Sequence, residues 1–364
     1  MPAPSTFSSA SEFLRSVQEK RNNPPPLSPR NEEFHRLHEE RASKFKAQGM
    51  SIPDLNGPTH PLAFVIDGIW DRVVKLLPSP IADWARTHLA VGLADHTLVN
   101  ATCLRSTDGY YAIVLHTGLM VLFNKVSKIL AAITNPKWLV YYERGPVEAV
   151  TRQSMVECYE SVTRSYRDTR VPLGPRIVLT DEGNQGHVTQ LAYWETFVLC
   201  HELGHLVCGH LEDPRRWAKG QSASEEAYSG SNAHVAEHQA DIFAFLLCRE
   251  AFPQVNGEEG DAHELRLIAF ATGLFDLMYS IGGTGSPNHP HALDRLLVII
   301  HYVYGEDASK ILASTYETGE SVGVLNGHKL VPSTNATSFL EECGRSRKDV
   351  AASGQPEVSC LFHG

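Results

Sequence analysis

The chain is short of positive charge. Among 364 residues, 32 Lys and Arg stand against 42 Asp and Glu, a formal charge of -10, with an isoelectric point near 6.0. That balance argues against nucleic acid or an anionic membrane surface as the main partner. An uninterrupted apolar run of membrane-spanning length is also missing. Residues 110–134 come closest, and His116, Asn124, Lys125 and Lys128 interrupt them. The opening Met1-Pro2-Ala3-Pro4-Ser5 has neither the basic start nor the apolar core of a signal peptide. Pro2 excludes myristoylation, and Cys360 stands one residue too far from the end for prenylation. The cysteines at 103, 158, 200, 208, 248, 343 and 360 are odd in number, with no CxxC and no framework spacing. Cys200, Cys208 and Cys248 fall in apolar helical contexts, so buried free thiols in a reducing cytoplasm are expected. For Cys200 a core thiol is a better reading than a redox switch. No internal repeat is visible, and 42% hydrophobic residues suffice for one large or two modest domains.

What the chain does have is His201-Glu202-Leu203-Gly204-His205, an HExxH box. It follows Leu191–Cys200, a stretch free of Gly and Pro and apolar enough for a buried helix. Residues four apart share a helix face, so both imidazoles can turn toward one metal ion. Glu202 then reaches a water at that ion rather than the ion itself. The bland alternative is a helix with two partly buried histidines and a surface glutamate.

Two further segments bear on that choice. Ala236–Cys248 reads as a helix with Glu237 and Asp241 one turn apart, its polar start passing into an apolar run. Two carboxylates at the head of a buried helix are costly without positive compensation. A zinc ion on Glu237 and an imidazole N–H donating to Asp241 would supply it. The alternative is a solvated acidic turn favoured by the helix dipole. Farther on, Asn288-His289-Pro290-His291-Ala292-Leu293-Asp294-Arg295 follows the glycine-rich Gly282–Pro287. That approach can place His289 over a site, and Arg295, about two turns into the next helix, can anchor a carboxylate. Taken alone, the segment is an ordinary helix start with Pro near its first position.

In this order the three segments resemble the gluzincin metallopeptidases, whose HExxH helix is followed by an ExxAD helix and by an HP motif with a later Arg. The pattern is similar to that of the HtpX and CAAX-prenyl-protease group and its soluble relatives. Asn100-Ala101, Gly109–Leu115 and Thr117–Met120 resemble the edge strand and following helix of those families. The likeness covers roughly residues 98–300, discontinuously. It implies Zn2+ held by His201, His205 and Glu237, with Glu202 as general base and Asp241 orienting a ligand. His289, backed by Arg295, matches a histidine that helps hold substrate or the developing oxyanion. The membrane families carry transmembrane helices, and no apolar run in this chain is expected to be long enough for one. The run HELGHLVCGHLED looks more like the phage-exclusion peptidases of the Lit type or the ImmA/IrrE-type regulatory peptidases. Both imply a cytosolic zincin acting on one intracellular protein.

Rivals for the third ligand are His234, three residues before Glu237, and Glu225 or Glu226. His210 lies nine residues after His201, on the opposite side of a continuous helix, and is expected to face solvent or end the helix. For the oxyanion, Tyr228 and Tyr279 stand behind His289. The expected chemistry is peptide hydrolysis, Glu202 taking a proton from water activated by the metal and passing it to the leaving amine. An edge strand around Tyr111–Leu115 is expected to hold extended substrate by main-chain pairing. The competing function is a catalytically inert zincin-like scaffold that binds partners through its helices.

The expected fold is mostly α (α+β), a zincin-like helical core with a small sheet at the substrate edge. Residues 1–55 read as a Pro- and Ser-rich segment with a short helix and a charged helix at 31–48. Residues 56–340 form the metallopeptidase domain, and 341–364 a polar tail. Helices are expected at 62–76, 80–93, 118–133, 262–280 and 290–303, strands near 111–115 and 176–179, and strand then helix between Trp138 and Tyr166. Polar loops are expected at 181–186 and 217–231, and the second of these, or the N-terminal segment, is expected to cover the cleft. The implied partner is a protein substrate, with no nucleic acid and no membrane; the oligomeric state stays open.

Overall fold

The computed structural model describes residues 6–22, 61–211, 231–253, 260–282 and 289–317, together with residues 36, 39, 40, 43 and 47. Within the expected charged helix at 31–48, residues 36, 39, 40, 43 and 47 are described and are helical; the rest of it, most of the loop at 217–231 and the C-terminal tail lie outside the described residues. The architecture is mostly α with small sheets, as expected.

Helix α1 (Ala10–Arg21) starts on Ser9, whose hydroxyl accepts from the Glu12 N–H. Helices α2 (Pro61–Leu76) and α3 (Ser79–His88) follow, and α3 gives way at Leu89 to strand β1 (Leu89–Ala94). The helix expected over 80–93 is thus half helix and half strand. An apolar run as short as Leu89-Ala90-Val91-Gly92-Leu93 does not declare its period, and pairing with another strand decides it.

Strands β2 (Ala101–Arg105) and β3 (Tyr111–His116) complete a three-stranded sheet in the order β1-β3-β2. β1 runs parallel to β3, Leu89 opposite Tyr111; β2 runs antiparallel to it, Ala101 opposite Leu115. The strand expected at the edge is therefore the central one, and both of its sides are already paired. Its six residues are all buried, as a strand covered on both faces requires. Ala101, Cys103, Tyr111, Ile113 and Leu115 turn toward the main core. Ala112 and Val114 turn the other way, onto Phe13 and Val17 of α1. Helix α1 covers this outer face of the sheet and ties to it through Gln18 Nε2, which donates to the Leu93 carbonyl at 2.7 Å.

Helix α4 (Thr117–Thr134) is long and apolar enough to cross a membrane by length and composition alone. Here its apolar surface is core: Leu122, Val126, Ile129 and Ala132 are fully buried, against α5 (Arg152–Thr169) and α6 (Asp181–Val207). Between them lies a two-stranded antiparallel sheet of β4 (Leu139–Tyr142) and β5 (Ile177–Leu179). The polar stretch 181–186 is not a loop but the first turns of α6. Thr180 caps it, its Oγ1 accepting from the Gly183 N–H at 3.2 Å, and Asp181 and Glu182 complement the helix dipole. Helix α7 (Ser231–Ala251) lies along α6; α8 (Gly260–Ser280), α9 (Ala292–Tyr304) and α10 (Glu306–Glu317) close the core. Cys200 and Cys248 are buried free thiols, while Cys208 is partly exposed.

Candidate metal centre

The HExxH box occupies the last turns of α6, where helical spacing stacks His201 over His205. The two rings stand nearly perpendicular, with centroids 4.8 Å apart. Their Nε2 atoms are 3.1 Å from each other. Each is 3.5 Å from a carboxylate oxygen of Glu237 on α7. Among the described residues, this trio is the group of His, Cys, Asp and Glu close enough to share an ion. Zinc bonds of about 2.0–2.2 Å in tetrahedral array put donors roughly 3.3 Å apart, and the three separations are of that size, His201 facing Oε2 and His205 facing Oε1 of Glu237. His234 does not enter the trio, and Glu225, Glu226 and Tyr228 lie outside the described residues.

The helices can approach this closely because position 204 has no side chain. A Cβ there would lie 2.9 Å from Cα of Ala240 on α7, inside ordinary carbon contact distance. Gly204 of one motif thus meets Ala240 of the other.

Helix α7 begins at Ser231, not near Ala236. Glu237 and Asp241 therefore sit in its interior, beyond the help of the helix dipole, and both are buried. The solvated acidic turn is excluded. Compensation comes from Arg295, whose Nε and an Nη donate to the two Asp241 oxygens at 2.7 Å each. The same guanidinium lies 3.4 Å from Glu237 Oε2 and over the face of Phe275. Arg295 is in the first turn of α9, not two turns in, because the helix starts at Ala292. Its N-cap is His291, whose ring nitrogen accepts from the Leu293 N–H at 3.2 Å; Pro290 precedes the cap rather than opening the helix.

Burial by itself would raise the Glu237 and Asp241 carboxyls, but Arg295 and the histidines outweigh it, and both are held below the usual range. Burial opposes the charge on Arg295 too, and Asp241 and Glu237 more than restore it. For His205, burial pulls the imidazole down while Glu237, Glu202 and Asp241 outweigh it and raise it. Asp241 Oδ1 also lies 2.9 Å from His201 Nδ1, so it can fix that ring with Nε2 free for a metal. Three carboxylates against one guanidinium leave an excess of negative charge suited to a divalent cation. The donor set fits zinc.

Glu202 is buried beside the trio and lines the same cleft. His289 stands at the mouth, partly exposed, its Nδ1 3.4 Å from Glu237 Oε1. Tyr279 is not among the cleft-lining residues; its ring packs on His291 instead. The cleft, about 430 Å³, has an apolar wall that includes Leu119, Phe123, Phe197, Leu274 and Leu277. Val99, Asn100 and Ala101, leading into β2, form part of its rim.

Sequence reasoning missed two contributors. Tyr166 of α5 lines the cleft, and its hydroxyl accepts from the Val99 N–H at 2.7 Å, pinning that rim. His210 is buried rather than solvent-facing. Helix α6 stops at Val207, and Gly209 takes a positive φ of 73°. The His210 N–H returns to the His205 carbonyl and the Gly209 N–H to that of Leu206, a Schellman reversal. The helical angle used to point His210 outward ends before it reaches His210. Its Nδ1 lies 2.9 Å from His205 Nδ1, and its Nε2 2.8 Å from Gln239 Oε1. Burial pushes its imidazole down to about 3, so it is neutral at pH 7.

Fold and site together define a helical protein whose two packed helices bring together a His, His, Glu trio that could hold a metal ion. Residues 184–315 match the model of a family described as Peptidase U49. That stretch runs from α6 into α10 and takes in the trio, Glu202, Asp241, His289 and Arg295, which supports a peptidase. No curated protein and no solved structure matches the chain.

Proposed function

We propose that the protein is a zinc-dependent endopeptidase of the gluzincin type, with His201, His205 and Glu237 as ligands. The observation that carries this reading is the convergence of three side chains, with the two Nε2 atoms 3.1 Å apart and each 3.5 Å from one of the two Glu237 carboxylate oxygens, and with Glu202 adjacent and no hydrogen bond or ion pair to it among the described residues. Zinc, when bound, supplies Lewis acidity that lowers the pKa of water and polarises a carbonyl.

Glu202 takes the proton of the attacking water and delivers it to the leaving amine nitrogen. His289, beside Glu237 at the cleft mouth, donates to the developing oxyanion. Asp241, locked by Arg295, keeps His201 presenting Nε2. Substrate backbone pairs not with β3, which is fully engaged, but with the edge strand β2. The Asn100 carbonyl accepts from the His116 N–H. Antiparallel alternation then points the main-chain N–H and C=O of Thr102 toward β3, and those of Ala101 and Cys103 toward the open side of β2. Ala101 is at the cleft rim, which suits an extended peptide better than a small molecule. A protein substrate, cleaved inside the chain, is the corresponding partner.

Metal analysis of the purified protein tests the ligand set. Wild type is expected to hold one zinc, and His205→Ala and Glu237→Ala to lose it. Wild-type protein that takes up no zinc, or a Glu237→Ala variant that keeps it at full affinity, would overturn the assignment.

A further inference from the structure

We infer that His210 and Gln239 are positioning residues that hold His205 in the tautomer presenting Nε2 to the metal; this rests on the zinc reading above. A contact between two ring nitrogens, such as His205 Nδ1 and His210 Nδ1 at 2.9 Å, needs one donor and one acceptor. The far nitrogen of His210, Nε2, lies 2.8 Å from the Gln239 side-chain oxygen. That oxygen only accepts, so the proton is on His210 Nε2 and its Nδ1 is a lone pair. The proton between the two rings then belongs to His205 Nδ1. His205 Nε2 is left unprotonated, 3.1 Å from His201 Nε2, and this second nitrogen–nitrogen contact, in which Asp241 leaves His201 Nε2 bare as well, sets two lone pairs together as a shared metal ion would require. One chain of hydrogen bonds, from the Gln239 amide through His210, sets the ligand form of His205.

The arrangement makes α7 the support for both imidazoles of α6. Asp241 reaches His201 directly, and Gln239, two residues earlier, reaches His205 through His210. The two supports differ in charge, and the difference has a physical reason. Asp241 is neutralised by Arg295 at 2.7 Å. A carboxylate in place of His210 would add another buried negative charge, with Glu202 and Glu237 already present. A neutral imidazole orients His205 without that cost. The Schellman turn at Gly209 makes it possible by folding His210 back under the ligand one turn behind it.

The test is chelator competition for zinc with the full chain, comparing wild type, Gln239→Leu, Gln239→Glu and His210→Phe. Loss of such a support lowers metal affinity by roughly 10–100-fold. That loss is expected for Gln239→Leu and His210→Phe, while Gln239→Glu, which keeps an acceptor oxygen, stays closer to wild type than Gln239→Leu. Gln239 is only partly buried, so Gln239→Leu keeps the test valid if His210→Phe does not fold. Histidine nitrogen NMR of the zinc-loaded protein reads the tautomers, with protons expected on His205 Nδ1 and His210 Nε2. If wild type binds zinc and Gln239→Leu binds it equally well, or if His210 carries its proton on Nδ1, this inference fails while the zinc site stands. If wild type binds no zinc, both fail.

Discussion

Gly204→Ala sets two effects of opposite sign against each other, and the packing of α6 on α7 decides between them. In an isolated helix the change stabilises by up to about 1 kcal/mol. Here the new Cβ would sit 2.9 Å from the Ala240 Cα and 3.2 Å from its carbonyl oxygen. Carbon atoms rest at about 3.5–4.0 Å, so the helices must part by roughly 0.6 Å. The obstacle is backbone and cannot rotate away. Overpacking of this kind costs about 1–3 kcal/mol, which leaves a net loss of about 0–2 kcal/mol after the propensity gain. The larger consequence is at the metal. His201 and His205 ride on one helix and Glu237 on the other, and ligand distances tolerate only about 0.2 Å. Zinc affinity is expected to fall by at least about tenfold, read by chelator competition, and the rise in melting temperature on adding zinc to shrink accordingly. A Gly204→Ala protein that melts higher than wild type and binds zinc as tightly would refute the reasoning.

Arg295→Met leaves Asp241 and Glu237 buried without their cation, and metal-free protein is expected to lose about 3–5 kcal/mol. Zinc restores part of this, so melting curves with and without zinc should diverge from wild type unequally; an equal loss in both would contradict the compensation. Burial raises the Glu195 carboxyl to about 8 from an ordinary 4.5, so folding opposes its ionisation: its stability contribution is full below pH 4.5 and is lost as pH climbs toward 8. At about 1.4 kcal/mol per pH unit, Glu195→Gln is expected to melt higher than wild type at pH 8 and alike at pH 4.5, and parallel melting profiles would exclude this. His289→Ala should lower kcat by roughly 10²–10³-fold with zinc content unchanged, if it donates to the oxyanion; wild-type turnover would remove it from the mechanism.

What was legible in the sequence was whatever lies within one regular element. The four-residue spacing of His201 and His205, and of Glu237 and Asp241, is helix geometry written directly in the chain, and both pairs share faces. Arg295 was readable as a carboxylate anchor by type, but its partner Asp241 is 54 residues away, and only the fold joins them. Strand order was not readable: β3 was expected at the edge from the likeness to the gluzincin families, whereas its run of buried apolar residues is that of a central strand. β1 was hidden in a run with helical neighbours on one side. His210 was lost by extending helical periodicity past the helix end. Gly209 was the available signal, since a glycine just beyond a helix commonly takes the left-handed conformation that reverses the chain. That α7 is already helical at Ser231 was obscured by the polar residues ahead of Glu237, and with it the interior placement of Glu237 and Asp241.

The central claim is that Glu202 serves hydrolysis of peptide bonds at a zinc held by its neighbours. Its most direct test is to express wild type and Glu202→Gln, each carrying zinc, and to compare the new protein N-termini that appear in the two proteomes. The account predicts a discrete set of new termini with wild type and none of them with Glu202→Gln, at equal zinc content. Identical termini from both proteins, or none from wild type with its zinc in place, would contradict it.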